Sequence, residues 1–193
     1  MIKRVLVGTL LLVIAGAALW WVSSRQDATP PPSPAAETPV GAPMGAMPAI
    51  PPDAFEMTVE SVHDGDTLRA HVTTPNEVVS DPGSTRIRLL GVDTPEISPE
   101  LECWGAQATA TLTSLAPAGS TIWVTADSEP RDQYGRTLLY VWTDEGRFVN
   151  GELVARGDAR VEVYSPNREH EATLRSLESA AVAASAGRWG ACD

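Results

Sequence analysis

Thr85-Arg86-Ile87-Arg88-Leu89-Leu90-Gly91-Val92-Asp93-Thr94-Pro95-Glu96 reads as an apolar strand that runs out into carboxylates, with Arg88 five positions before Asp93. Working outward, short runs with strand chemistry recur at Phe55–His63, Thr67–Val72, Ser120–Ala126 and Thr137–Thr143. Asp64-Gly65 follows the first run and predicts a tight hairpin. Thr73–Ser84 holds Pro75, Asn76, Asp81, Pro82 and Gly83, which predicts a longer hairpin loop. With Thr85–Val92 this makes five short strands.

Three helical stretches interleave. Gly105–Leu115 places Ala108, Leu112 and Leu115 on one face. Asn150 is expected to cap a short helix through Glu152, Leu153 and Val154. Ser165-Pro166 is expected to open a longer helix, with His170, Leu174, Leu177, Ala181 and Ala184 on one side and a stop at Gly187. The predicted class is α+β, mainly β: a five-stranded Greek-key barrel of OB type with about three helices. Trp104, Trp123, Trp142 and Trp189 are assigned to core or flank packing.

The domain so outlined spans 54–193 and has a different composition from what precedes it. Residues 27–53 are rich in Pro and Ala and cannot build a core. They predict a disordered, partly extended spacer with a reach of up to ~80 Å at ~3.1 Å per residue. Residues 1–26 begin Met1-Ile2-Lys3-Arg4 and continue into an apolar run from Val5 to Val22. Such a run is a signal peptide or a signal anchor. Ala15-Gly16-Ala17 offers a cleavage site, while Trp20 and Trp21 suit the interface of an uncleaved membrane helix, the reading favoured here. Both place the domain outside the cytoplasm.

Charge constrains the partners. The net charge is -11, and beyond residue 52 there are 11 Arg against 23 Asp and Glu. A polyanion binder normally shows a basic face. A protein of this composition that acts on nucleic acid must make its positive field locally, from a few arginines and a metal. The two cysteines, Cys103 and Cys192, read as a disulfide behind an export signal and as buried thiols otherwise.

Four clusters hold the candidate chemistry: His63-Asp64-Gly65-Asp66-Thr67, the opening stretch from Arg86 to Glu96, Asp132-Gln133-Tyr134-Gly135-Arg136, and Tyr164-Ser165-Pro166-Asn167. Asp66 and Asp93 are hard oxygen donors without a cysteine or a cluster of histidines beside them, which favours Ca²⁺ or Mg²⁺ over zinc. Arg88 and Arg136 present rigid forks suited to phosphate oxygens.

Taken together, Asp64-Gly65-Asp66-Thr67, Arg88 to Glu96 and Asp132-Gln133-Tyr134-Gly135-Arg136 resemble the staphylococcal (micrococcal) nuclease family, over roughly Phe55 to Gly190. The resemblance implies a monomeric, Ca²⁺-dependent endonuclease for DNA or RNA that leaves 3′-phosphate ends. It implies metal binding by Asp66, Asp93 and the Thr94 carbonyl, a general base at Glu96, a phosphate clamp of Arg88 and Arg136, and substrate contacts from Tyr134 and Tyr164. Two positions depart from the family pattern. Glu162 stands where the family has a tyrosine, and Gln133 where its type member has a lysine. Both remove attraction for a polyanion, so weaker binding and a steeper need for metal are expected. A non-catalytic OB-type binding module is the alternative; the full set of Asp66, Asp93, Glu96, Arg88 and Arg136 argues against it, because binding alone does not need it.

Overall fold

The computed structural model describes residues 47–192. The leader and most of the spacer lie outside the described residues. Among those described, no helix is long and apolar enough to cross a membrane.

Five strands close a barrel: β1 (Phe55–Val62), β2 (Thr67–His71), β3 (Thr85–Leu89), β5 (Thr121–Thr125) and β6 (Thr137–Thr143), in the order β1-β2-β3-β6-β5 with β5 returning to β1. All neighbours are antiparallel except β3 and β6, which run parallel with Arg88 opposite Leu138. Alternation explains the wall: in β1, Met57 and Val59 point into the core while Glu56 and Glu60 stay exposed. Strand β6 is buried along almost its whole length, because it lies between β3 and β5 and is covered by helices. The tight turn at Asp64-Gly65 and the long Thr73–Ser84 connection form as expected.

Three helices pack outside: α1 (Gly105–Leu115), α2 (Val149–Ala155) and α3 (Glu171–Ala183), followed by the single turn α4 (Arg188–Ala191). Helix α1 has the expected bounds, with Ala108, Leu112 and Leu115 buried. Of the four tryptophans, Trp142 is fully buried.

Several elements differ from the sequence expectation. The Thr85–Val92 run breaks after Leu89; Gly91 takes φ 74°, and the chain leaves the barrel as β4 (Val92–Asp93), which pairs with β7 (Arg160–Val161). Asn150 lies inside α2 instead of capping it. Its buried amide accepts from the N–H of Val141 at 2.9 Å and donates to the carbonyl of Leu90 at 2.8 Å. It thus stitches the helix to β6 and to the turn that follows β3.

Ser165-Pro166 does not open α3, which begins only at Glu171. The Asn167 side chain accepts from the N–H of Glu129 at 2.8 Å and donates to its carbonyl at 2.9 Å, holding this segment as a turn. Helix α3 ends at Ala183, so Ala184 falls past its buried face and is exposed. The end of the predicted spacer packs on the barrel: Met47 and Ile50 lie against the core, and the Trp142 indole N–H donates to the carbonyl of Pro48 at 2.9 Å.

His170 sits within an aromatic cluster, its ring centroid 4.5 Å from Tyr140, 5.1 Å from Phe148 and 5.8 Å from Trp142. Burial holds its imidazole below the ordinary histidine range, against the opposing pull of Glu169 and Asp127. The folded pKa lies below the unfolded one, so the unfolded chain binds the extra proton first. The contribution of His170 to stability should therefore be complete above about pH 6.5 and fall as the pH drops below it. The difference in melting temperature between wild type and His170→Phe across this window should show that slope.

Candidate active site

The site is assembled where three chain breaks meet: the β1–β2 turn, the exit from β3 into β4, and the loop before α1. Asp66 is supplied by the turn and is almost fully buried. Its Oδ2 accepts from the Thr94 N–H at 2.9 Å and from the Thr94 hydroxyl at 3.1 Å, and the same oxygen faces the guanidinium of Arg88. Arg88, pointing back from β3, donates from Nη2 to Asp93 Oδ1 at 2.9 Å. Asp66, Arg88, Asp93 and Thr94 therefore form one connected unit.

Glycine makes the approach possible at two points. A Cβ on Gly65 would come within 2.6 Å of the Thr94 hydroxyl oxygen and 2.8 Å of Ala108 Cβ. Only glycine lets the turn carrying Asp66 lie against Thr94. A Cβ on Gly105 would come within 2.5 Å of the Glu96 carbonyl oxygen, so α1 begins in contact with the Glu96 loop. That loop is closed by Glu102. The Glu96 N–H donates to the Glu102 carboxylate at 3.0 Å, and the Glu102 N–H donates to the Glu96 carbonyl at 2.9 Å.

The electrostatics are those of an acid-rich centre. Burial pushes the Asp66 carboxyl up to about 6; Arg88 opposes this, and Asp64 and Asp93 add to it. Burial also raises Glu96, reinforced by the nearby negative charges of Asp64 and Asp93. Asp64, Asp66, Asp93, Glu96 and Glu102 thus share a small region with Arg88.

Arg88 also lines a cleft of about 390 Å³ together with Arg136, Tyr134, Tyr164, Glu162 and Gln133. Asp132 fixes Arg136 by an Asx turn: its Oδ1 accepts from the N–H groups of Tyr134 and Arg136, each at 2.9 Å, and its Oδ2 accepts from Arg136 Nε at 2.6 Å. Burial would raise Asp132, but these bonds from Arg136 and Tyr134 leave it below the usual carboxylate range. Tyr134 and Tyr164 remain 75% and 68% exposed, with the Arg136 guanidinium over one face of Tyr134, 5.6 Å from the ring centroid.

The expected site residues accordingly fall into two groups joined by Arg88. Asp66, Asp93 and Thr94 bond to one another through it or directly, with Glu96 beside them. Arg136, Tyr134 and Tyr164 border the cleft on its other side. Among the described residues, no three His, Cys, Asp or Glu side chains cluster tightly enough to form a metal cage alone. The donor set still fits a hard cation. Two aspartates and a backbone carbonyl are the oxygen ligands Ca²⁺ accepts, and the burial that raises Asp66 and Glu96, with the neighbouring carboxylates adding to it, is a cost that a cation would offset.

The family model described as "Staphylococcal nuclease homologue" matches residues 86–191. The chain belongs to the staphylococcal nuclease family. That membership makes it a nuclease-class hydrolase. A thermonuclease of Staphylococcus intermedius is 32% identical over 134 residues, covering 68% of this chain and 74% of the relative. The thermonuclease of Staphylococcus hyicus is 30% identical over 142 residues, 71% of this chain and 78% of the relative. Endonuclease YhcR of Bacillus subtilis is 34% identical over 152 residues, and there the match spans 72% of this chain but only 12% of the relative.

Within the family frame, sequence reasoning missed three participants. Asp132 was read as part of a motif, not as the holder of Arg136. Glu102 carries no motif at all. Arg160 bonds Asp93 Oδ2 from Nε at 2.9 Å and from Nη2 at 2.8 Å, and only the pairing of β4 with β7 brings it there.

Proposed function

We propose that the protein is an extracytoplasmic, Ca²⁺-dependent endonuclease that hydrolyses phosphodiester bonds of DNA or RNA and leaves 3′-phosphate ends. The observation that favours this reading most is the double placement of Arg88, which bonds the aspartates on one side and lines the cleft with Arg136 on the other. A phosphate in the cleft would touch both guanidiniums and lie next to the carboxylate centre.

Asp66, Asp93 and the Thr94 carbonyl would hold Ca²⁺, which supplies positive charge to the phosphoryl oxygens and acidity to bound water. Glu96 takes the proton from the attacking water, a role suited to a carboxylate whose proton affinity is raised. The bond from phosphorus to the 5′-oxygen breaks, and the phosphate stays on the 3′-side. Arg88 and Arg136 hold the negative charge that gathers in the transition state, with Arg136 next to the leaving oxygen. Tyr134 and Tyr164 offer aromatic faces to the bases.

The acidic surface, with Glu162 and Gln133 in the cleft, limits attraction to a few local contacts, so binding should depend strongly on the cation. The leader and spacer would carry the domain, as a monomer, beyond the membrane. The test is hydrolysis of single-stranded DNA by the purified protein, with analysis of the ends. Turnover should need Ca²⁺, stop with EGTA and yield 3′-phosphates. Absence of turnover with Ca²⁺, or turnover indifferent to EGTA, would reject the assignment.

A further inference from the structure

Strands β4 and β7 make two rungs, Val92 opposite Val161 and Asp93 opposite Arg160. Alternation sends the valines into the core and leaves Asp93 and Arg160 as a cross-strand pair on the other side. Each oxygen of Asp93 then has its own guanidinium. Oδ1 takes Arg88 at 2.9 Å, and Oδ2 takes Arg160 Nε at 2.9 Å and Nη2 at 2.8 Å.

The two arginines are not equivalent. The Arg88 side chain is 13% exposed and is also tied to Asp66, so it is the more firmly held of the two. The Arg160 side chain is 51% exposed, and its Nη2, 2.8 Å from Asp93, also lies 3.5 Å from Glu162. Arg160 thus does more than orient Asp93. It occupies lone pairs that a cation would use, and it places a positive charge beside them.

We propose that Arg160 is a positioning residue that competes with the cation for Asp93 and so sets the Ca²⁺ concentration at which the site fills, with Glu162 pulling it the opposite way. This rests on the reading of Asp66 and Asp93 as Ca²⁺ ligands. Arg160 holds the carboxylate centre together at low Ca²⁺ and yields Asp93 as Ca²⁺ rises.

Calorimetric titration with Ca²⁺ alone, without nucleic acid, tests this on the intact protein. Arg160→Gln should tighten Ca²⁺ binding by a factor of about 3 or more, because a like charge next to the site is gone. Arg160→Lys keeps the charge and should stay near wild type. Glu162→Gln should weaken binding, since the carboxylate that shares Arg160 with Asp93 is then neutral and the guanidinium charge bears on Asp93 alone. Opposite shifts in the two neutral variants are not what a purely structural role would give, and melting temperatures without Ca²⁺ report any general loss of fold.

Equal or weaker binding by Arg160→Gln overturns the proposal, as does Arg160→Lys tightening as much as Arg160→Gln, or Glu162→Gln binding as well as wild type. If wild type takes up no Ca²⁺, the Ca²⁺ reading falls and takes this inference with it. If wild type binds and the variants do not separate, only the inference falls.

Discussion

Arg136→Ala should lower kcat on single-stranded DNA by about 10²–10³-fold, the usual cost of losing one preorganised donor to transition-state charge. Glu96→Ala should cost about 10²–10⁴-fold, the usual contribution of a positioned base. Neither change should move the melting temperature much, because Glu96 is exposed and Arg136 bonds only within its own turn.

Asp132 engages Arg136 through Nε, which leaves the two terminal nitrogens as the edge available to a phosphate in the cleft. A lysine cannot be held by one nitrogen and present two others in a plane, so Arg136→Lys should recover little of the loss. For Glu96 the argument lies in the loop, because reciprocal bonds with Glu102 and the contact with Gly105 fix where its backbone can be. Steady-state rates with one oligonucleotide decide both. Wild-type turnover in either variant would strip that residue of its role.

The parts of this molecule legible in the sequence are those that depend on local pattern. Met57 and Val59 alternate with glutamates, and Ala108, Leu112 and Leu115 recur at helical spacing, so strands and helix could be placed from side-chain period alone. The candidate site was legible where its residues sit in short motifs around turns, as with Asp66, Arg88 and Asp93. What escaped depends on contacts between distant segments. Asn167 holds its segment out of α3 by bonding Glu129, 38 positions earlier, and Asn150 gives up capping to reach Leu90, 60 positions away. Arg160 finds Asp93 across 67 positions. Propensity and spacing say nothing about such partners. They appear only once the barrel has closed and β4 has turned out of it to meet β7.

Reduction of the protein should lower its stability by about 4.5 kcal/mol, the chain-entropy value for a loop of this size. Cys103 and Cys192 are bonded across 89 positions. Cys103 lies just after Glu102, which closes the Glu96 loop, and just before α1. Cys192 follows α4, whose first N–H, that of Arg188, donates to the carbonyl of Gly157 at 2.9 Å. The bridge therefore ties the loop carrying the proposed base to the C-terminal turn, and through it to the segment leading into β7. Breaking it frees both ends in the unfolded chain and also loosens the Glu96 loop in the folded one.

The double variant Cys103→Ser/Cys192→Ser should accordingly show two effects, a lower denaturant midpoint and a reduced kcat at temperatures where it is still folded. Denaturant melts of oxidised protein, reduced protein and the double variant measure the first; steady-state rates measure the second. If the three melts coincide, the bridge does not constrain the unfolded chain as the loop length requires. If only kcat is unchanged, Glu102 and Gly105 hold the Glu96 loop without help from the disulfide.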